Sequence, residues 1–196
     1  MCLYSGSIGE KQGLENIIYA AESLKDDKRI QFVICGSGPY KPKLQDLVIT
    51  KGLKNVTFLP LQDKKDFNNF LNMADLHLII QKAFIGDLVM PSKLLAILSA
   101  GGVSLATAEK NTSLQLLIEN FDAGFVIPPD DHGKLTESIL RTSNSDYSEK
   151  HVNARKYALQ YLNIDNVMNQ FLHDISAPPG ENKNIQNCQS VSGNNK

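Results

Sequence analysis

The chain has 196 residues, 42% of them hydrophobic, and its 20 Lys and Arg nearly balance 21 Asp and Glu, for a net charge of −1. That length suits one domain of up to about 200 residues with a sizeable core. The near-neutral balance excludes global attraction to nucleic acid or anionic lipid, so any anion site must be local.

Apolar strand-like runs alternate with helix-period segments. LYSG (3–6) reads as a strand, and Leu14, Ile17, Ile18, Ala21 and Leu24 then mark one face of a helix. QFVICG (31–36) is a second strand, followed by a segment from Pro39 to about Thr50, and NVTFLPL (55–61) is a third. Phe67, Phe70, Leu71 and Ala74 form the next helical stripe before DLHLII (75–80), the fourth strand. Pro91 suits the first turn of a helix that Gly101 stops. GVSLAT (102–107) is the fifth strand, Leu114, Leu117, Ile118 and Phe121 mark a helix, and AGFVIP (123–128) is the sixth. Helices at about 131–141, 147–162 and 164–175 complete the order.

Near-continuous apolar strands alternating with helices predict an α/β fold: a single doubly wound, Rossmann-like parallel sheet of about six strands, covered on both faces. Residues 1–175 read as the folded domain. From Ser176 onward the chain is rich in Asn, Gln, Ser, Gly and Pro and reads as a disordered tail. No apolar run approaches the roughly 20 residues of a membrane span. The opening MCLYSG lacks the regions of a secretory signal. Cys2, Cys35 and Cys188 are odd in number and far apart, which predicts free thiols in a reducing compartment, with Cys35 buried.

The turn GSIGEKQG places Gly6, Gly9 and Gly13 around Lys11, between a strand and a helix. Free N–H groups and the helix dipole favour an anion at such a turn; an ordinary glycine-rich turn with a solvated lysine is the alternative. GSGPY (36–40) has G-x-G but Lys at position 41, so the dinucleotide fingerprint fails, and the turn lets backbone approach something closely. In DLVMPSKLLAILSAGG (87–102), Ser92 and Lys93 fall in the first turn of a helix, where the dipole disfavours a cation, so an anionic partner is expected. Lysines 11 and 93 on separate strand-to-helix turns would share one sheet edge, a geometry suited to a diphosphate. His77, His132, His151 and His173 lack metal-ligand spacing, and no metal is expected; His77 reads as a satisfied buried imidazole. No nucleophile elbow is present. The residues carry binding chemistry and little that looks catalytic.

Taken in order, YSGSIGEKQGLE, FVICGSGP, NVTFLPL, ADLHLII, MPSKLLAILSAG and AGFVIPPDD resemble the carboxyl-terminal domain of GT-B glycosyltransferases, specifically retaining family 4 enzymes of the colanic acid and exopolysaccharide branch. The resemblance runs from about residue 3 to 175. It implies a donor diphosphate site at Gly6, Ser7, Gly9, Lys11, Ser92 and Lys93, and a nucleotide-base cleft at Gly36, Gly38, Leu59 and Leu61, with no cofactor or obligate metal. Ser7 stands where many relatives carry arginine. The paired glutamates of the family motif E-x7-E fall, aligned on Gly101, at Leu88 and Ala96; Asp87 is the nearest substitute for the first, a sugar-hydroxyl contact. GGVS (101–104) stands where relatives often read G-[KR]-P-V.

The implied partners are a nucleotide-sugar donor and the amino-terminal GT-B domain or a partner chain, with no nucleic acid. The expected location is the cytoplasm, with peripheral association at the inner membrane face in the full enzyme. The chain then reads as a fragment, a truncated frame or half of a split enzyme, inactive alone. A non-catalytic interaction module, a nucleotide-sugar epimerase and a dinucleotide-dependent oxidoreductase remain as rivals in that order.

Overall fold

The computed structural model describes residues 1–83 and 91–176. Six strands form one all-parallel sheet: β1 (Cys2–Ser5), β2 (Phe32–Cys35), β3 (Val56–Leu59), β4 (Leu76–Ile79), β5 (Ser104–Thr107) and β6 (Gly124–Ile127), in the order β3-β2-β1-β4-β5-β6. The chain changes direction across the sheet between β1 and β4. Loops after those two strands flank the crevice where doubly wound sheets bind ligands.

Alternation along each strand sends side chains into two layers. Tyr4, Phe32, Ile34, Leu76, Leu78 and Leu105 pack against α1 (Glu15–Ser23), α2 (Lys41–Thr50) and α6 (His132–Ser143). On the other face Ile79 and Ala106 meet α4 (Ser92–Ser99), α5 (Ser113–Asn120) and α7 (Ser148–Tyr157), while Leu3 and Cys35 meet Phe70 of α3 (Phe67–Asn72). Thr112 and Asp131 cap α5 and α6 by accepting from Gln115 N (3.4 Å) and Lys134 N (2.8 Å).

The helix expected over 147–162 changes pitch: α7 ends at Tyr157, and Ala158–Leu162 continues as a π turn before α8 (Ile164–Ser176). Ser176 thus closes a helix, and the remainder of the expected tail, 177–196, lies outside the described residues. Cys2 and Cys35 are free and buried; burial pushes the Cys2 thiol up to about 12. Among the described residues no helix is long and apolar enough to cross a membrane.

His77 departs from expectation. Its ring is 1% exposed, yet neither nitrogen has a hydrogen-bond partner among the described residues, and the hydroxyl of Ser104, its register partner on β5, is equally orphaned. A buried but unsatisfied imidazole replaces the expected satisfied one. Burial pulls its pKa from 6.5 to about 4; the Leu71 backbone lies near enough to oppose this in part but meets no hydrogen-bond geometry with the ring. Between those values the unfolded chain binds a proton that the folded chain does not, so stability present above pH 6.5 is lost as pH falls toward 4, by up to about 3 kcal/mol. His77→Leu is expected to raise stability at pH 7 by about 1–2 kcal/mol and to flatten that acid slope, as read by urea melts at pH 5 and 7. An unchanged slope would show that another group governs acid stability.

Candidate functional site

All carboxyl ends of the strands share one edge, because the sheet is wholly parallel. The loop after β1 and the loop after β2 are bonded together there: Gly6 N donates to Cys35 O (3.0 Å), Ile8 N to Ser37 O (2.9 Å) and Tyr40 N to Ile8 O (3.1 Å). These bonds explain the G-x-G of the second loop. A Cβ on Gly36 would overlap the Gly6 carbonyl oxygen, and one on Gly38 would sit 2.7 Å from the Ile8 carbonyl carbon and 2.9 Å from its nitrogen. What approaches the second loop closely is the first loop.

Within the first loop, Glu10–Gln12 forms a short 3-10 turn, and Gly13 closes it at φ +66°. Gly9 N donates to the Gln12 side chain (3.0 Å), and the buried Tyr4 hydroxyl donates to Ser7 O (2.6 Å). Ser7 and Lys11 are exposed. With Gly9, Ser37 and Gly38 they line a hollow of about 260 Å³.

Lys93, the second residue of α4, reaches this loop from the other side of the switch point. Its Nζ lies 3.2 Å from where a Gly6 Cβ would stand and 4.0 Å from the centroid of the Tyr4 ring. The missing side chain at Gly6 therefore makes room for the ammonium. Among the described residues no carboxylate pairs with it, and burial lowers its pKa from 10.5 to about 8. The ring face returns part of the lost hydration. Ser92 opens α4 and is exposed; Ala96 faces partly inward from the same helix. Asp87 and Leu88 lie outside the described residues.

Sequence reasoning missed Lys82. It is the third residue after β4, and its Cγ and Cε would stand 2.9 and 3.3 Å from a Cβ on Gly13. Its side chain thus crosses from the β4 loop to the end of the first loop. The signal was available: a lysine just beyond a parallel strand falls on the ligand edge.

A second hollow of about 500 Å³ adjoins the first through Ser37 and Gly38, and is walled by Gly36, Pro42, Pro60 and Leu61 with Lys41 and Gln45. Leu61 is 65% exposed. Leu59 instead packs inward on the cluster of Leu3, Cys35 and Phe70, and offers the site its carbonyl. Lys41 Nζ donates to Gly36 O (3.0 Å) and Leu59 O (3.2 Å). Pro60 O accepts from the Cys35 thiol (3.0 Å) and the Gln62 amide (2.8 Å), which fixes the strip carrying Leu61. A larger open groove of about 870 Å³, lined by Gly101, His151, Arg155 and Leu159, lies at the end of α4 away from these loops.

The sequence profile of the family described as Glycosyl transferases group 1 matches residues 1–161. Over 175 residues the chain is 42% identical to WcaI of Escherichia coli K12, a protein ascribed to colanic acid biosynthesis as a glycosyl transferase; the match covers 88% of this chain and 42% of WcaI. It is 27% identical over 146 residues to the alpha-D-kanosaminyltransferase of Streptomyces kanamyceticus, covering 71% of this chain and 35% of that enzyme. The chain therefore spans less than half the length of these curated relatives. Among solved structures, Anabaena HepE in complex with UDP and glucose superposes with a TM-score of 0.75 at 17% identity, over 90% of this chain and 48% of HepE. The carboxyl-terminal domain of LpcC, a glycosyl transferase group 1 protein of Francisella tularensis, superposes at 0.67 and 15% identity, over 83% of this chain and 86% of that domain.

Proposed function

Because the chain belongs to the group 1 glycosyl transferases, we propose that it is the donor-binding half of a retaining enzyme that moves a sugar from a nucleoside diphosphate sugar to a hydroxyl on a polysaccharide or lipid-linked acceptor. One observation carries this reading: the Lys93 ammonium, part-buried and without a carboxylate partner among the described residues, lies against the glycine loop at the switch point of the sheet. A cation held in that state is incomplete until an anion arrives.

In this reading the diphosphate lies along Gly6–Gly13, receives backbone N–H groups of that loop, and is flanked by Lys11, Lys82 and Lys93. Lys82 stands in for the arginine missing at Ser7. As the bond between sugar and diphosphate breaks, negative charge grows on the leaving oxygen, and cations already in position stabilise it without reorganising. Asp87 would hold sugar hydroxyls. The hollow beside Pro60 and Leu61 would take the base. The UDP found with HepE supports a nucleoside diphosphate as the ligand class.

The acceptor side is assigned to a second α/β domain or a partner chain. Ile164, Val167, Met168, Phe171, Leu172 and Ile175 of α8 are all between 47% and 71% exposed, an apolar stripe that such a partner would cover. The same stripe, with Leu88 and Ala96 at the glutamate positions, favours a second reading: a transferase half that only docks a partner. Calorimetry of the 196-residue chain separates the two. The donor half is expected to bind nucleoside diphosphates in the high micromolar to millimolar range without sugar transfer. Absence of binding at millimolar ligand would favour the docking module, and a transfer rate near that of two-domain relatives would contradict inactivity alone.

A further inference from the structure

Lys82 reaches the first loop from a segment that is held on both sides. The ladder between β4 and β5 ends with Ile79 beside Ala106. Past that point the buried Thr107 hydroxyl takes over: its Oγ1 accepts from Gln81 N (2.7 Å) and donates to Gln81 O (2.8 Å). On the far side of Lys82, Ala83 N donates to Asp130 Oδ2 (3.0 Å), and Asp130 is the third residue after β6. Side chains from the ends of β5 and β6 thus fix the residue before Lys82 and the residue after it. Asp130 is exposed and sits at φ +57°, in the left-handed region that strains a residue with a Cβ. Its neighbour Asp131 already caps α6, so that helix end does not require it. Among the described residues no carboxylate pairs with Lys82.

A lysine has a long, freely rotating stem, and a ligand that must order such a stem loses affinity. Here the stem starts from a tethered backbone and crosses to Gly13, where the missing side chain leaves room for its Cγ and Cε. We propose that Thr107 and Asp130 are positioning residues that act through Lys82, presenting its ammonium to the diphosphate before the nucleotide arrives. This inference rests on the donor-site reading above. Asp130 does so against its own charge. A carboxylate at an anion-binding edge repels the ligand, so charge alone predicts tighter binding once Asp130 is removed. Positioning predicts the reverse sign.

The test is calorimetry on the full chain with UDP, CDP, GDP and ADP, the tightest binder serving as the probe. Lys82→Met is expected to weaken binding by about tenfold, the loss of one charge-assisted contact. Asp130→Gly deletes the carboxylate and relieves the left-handed strain; it is expected to weaken binding by about three- to tenfold with the melting temperature unchanged or raised. Asp130→Asn keeps a side-chain oxygen that accepts from Ala83 N, and is expected to restore affinity to within about twofold. Thr107→Val is expected to lose as much as Asp130→Gly, and Thr107→Ser, which keeps the hydroxyl, to recover it. In the Lys82→Met background neither loss is expected: the double variants should bind within about twofold of Lys82→Met alone, because residues acting through one side chain are not additive. If Thr107→Val fails to fold, the Asp130 series decides. Tighter or unchanged binding by Asp130→Gly, no rescue by Asp130→Asn, or losses that multiply with that of Lys82→Met would overturn the inference and leave the donor site standing. Failure of every nucleotide to bind the unaltered chain overturns both.

Discussion

Lys93→Met is expected to weaken nucleoside diphosphate binding by about 30- to 1,000-fold, the cost of removing one partner from an enclosed charge pair, while leaving the melting temperature unchanged or raised. The two halves of this result come from one cause. In the free protein the ammonium is partly buried between Gly6 and the Tyr4 ring with no carboxylate beside it among the described residues, and its pKa has fallen to about 8. Methionine keeps the volume and removes the uncompensated charge. A structural lysine would show the opposite, with lost stability and little change in affinity. The pH dependence follows with its sign. From about 8 to 10.5 the unfolded chain holds a proton that the folded chain has released, so Lys93 makes stability rise with pH across that window. The methionine variant lacks this rise. A diphosphate beside Lys93 restores its proton, so binding near pH 8 is expected to take up about half a proton, read as a dependence of the calorimetric heat on buffer ionisation enthalpy.

Gly36→Ala is expected to destabilise the fold by on the order of 3–5 kcal/mol and to abolish nucleotide binding. The new Cβ would overlap the Gly6 carbonyl oxygen and approach its carbon to 3.1 Å, and both are backbone atoms that no rotamer change can move aside. Relief requires the first loop to lift, which breaks Gly6 N to Cys35 O and removes the floor on which Lys93 rests. Gly52→Ala is the control. Gly52 has φ +61° but open space around it, so only the left-handed conformation is penalised, by about 1–2 kcal/mol, with affinity intact. Urea melts and calorimetry on the two variants separate backbone strain from collision between loops. Equal costs at both positions would contradict the interlocked arrangement.

The sheet, its helices and their order were legible because periodicity is local: Leu14, Ile17, Ile18 and Ala21 mark α1 as plainly in the chain as in the core. Strand ends were less legible. NVTFLPL yields only Val56–Leu59, since Asn55 turns its amide to Ala21 O (2.8 Å) and Pro60 has no N–H for a ladder. The loop partners were hidden for a different reason. That Gly36 and Gly38 accommodate Gly6 and Ile8, or that Lys82 overlies Gly13, depends on contacts between segments about 30 and 70 residues apart, which no windowed pattern encodes. Lys41 was visible only as the residue that broke a glycine fingerprint. His77 was correctly placed inside, but whether a buried imidazole finds a partner depends on the neighbouring strand and helix.

The most direct measurement is a crystal structure of the 196-residue chain with a saturating nucleoside diphosphate. The diphosphate is expected over the Gly6–Gly13 loop, with a phosphate oxygen about 2.7–2.9 Å from Lys93 Nζ and the side chains of Lys11 and Lys82 turned toward it. A nucleotide held elsewhere on the molecule, with the Lys93 ammonium paired to a carboxylate of the chain instead, would contradict the assignment of this edge as the donor site.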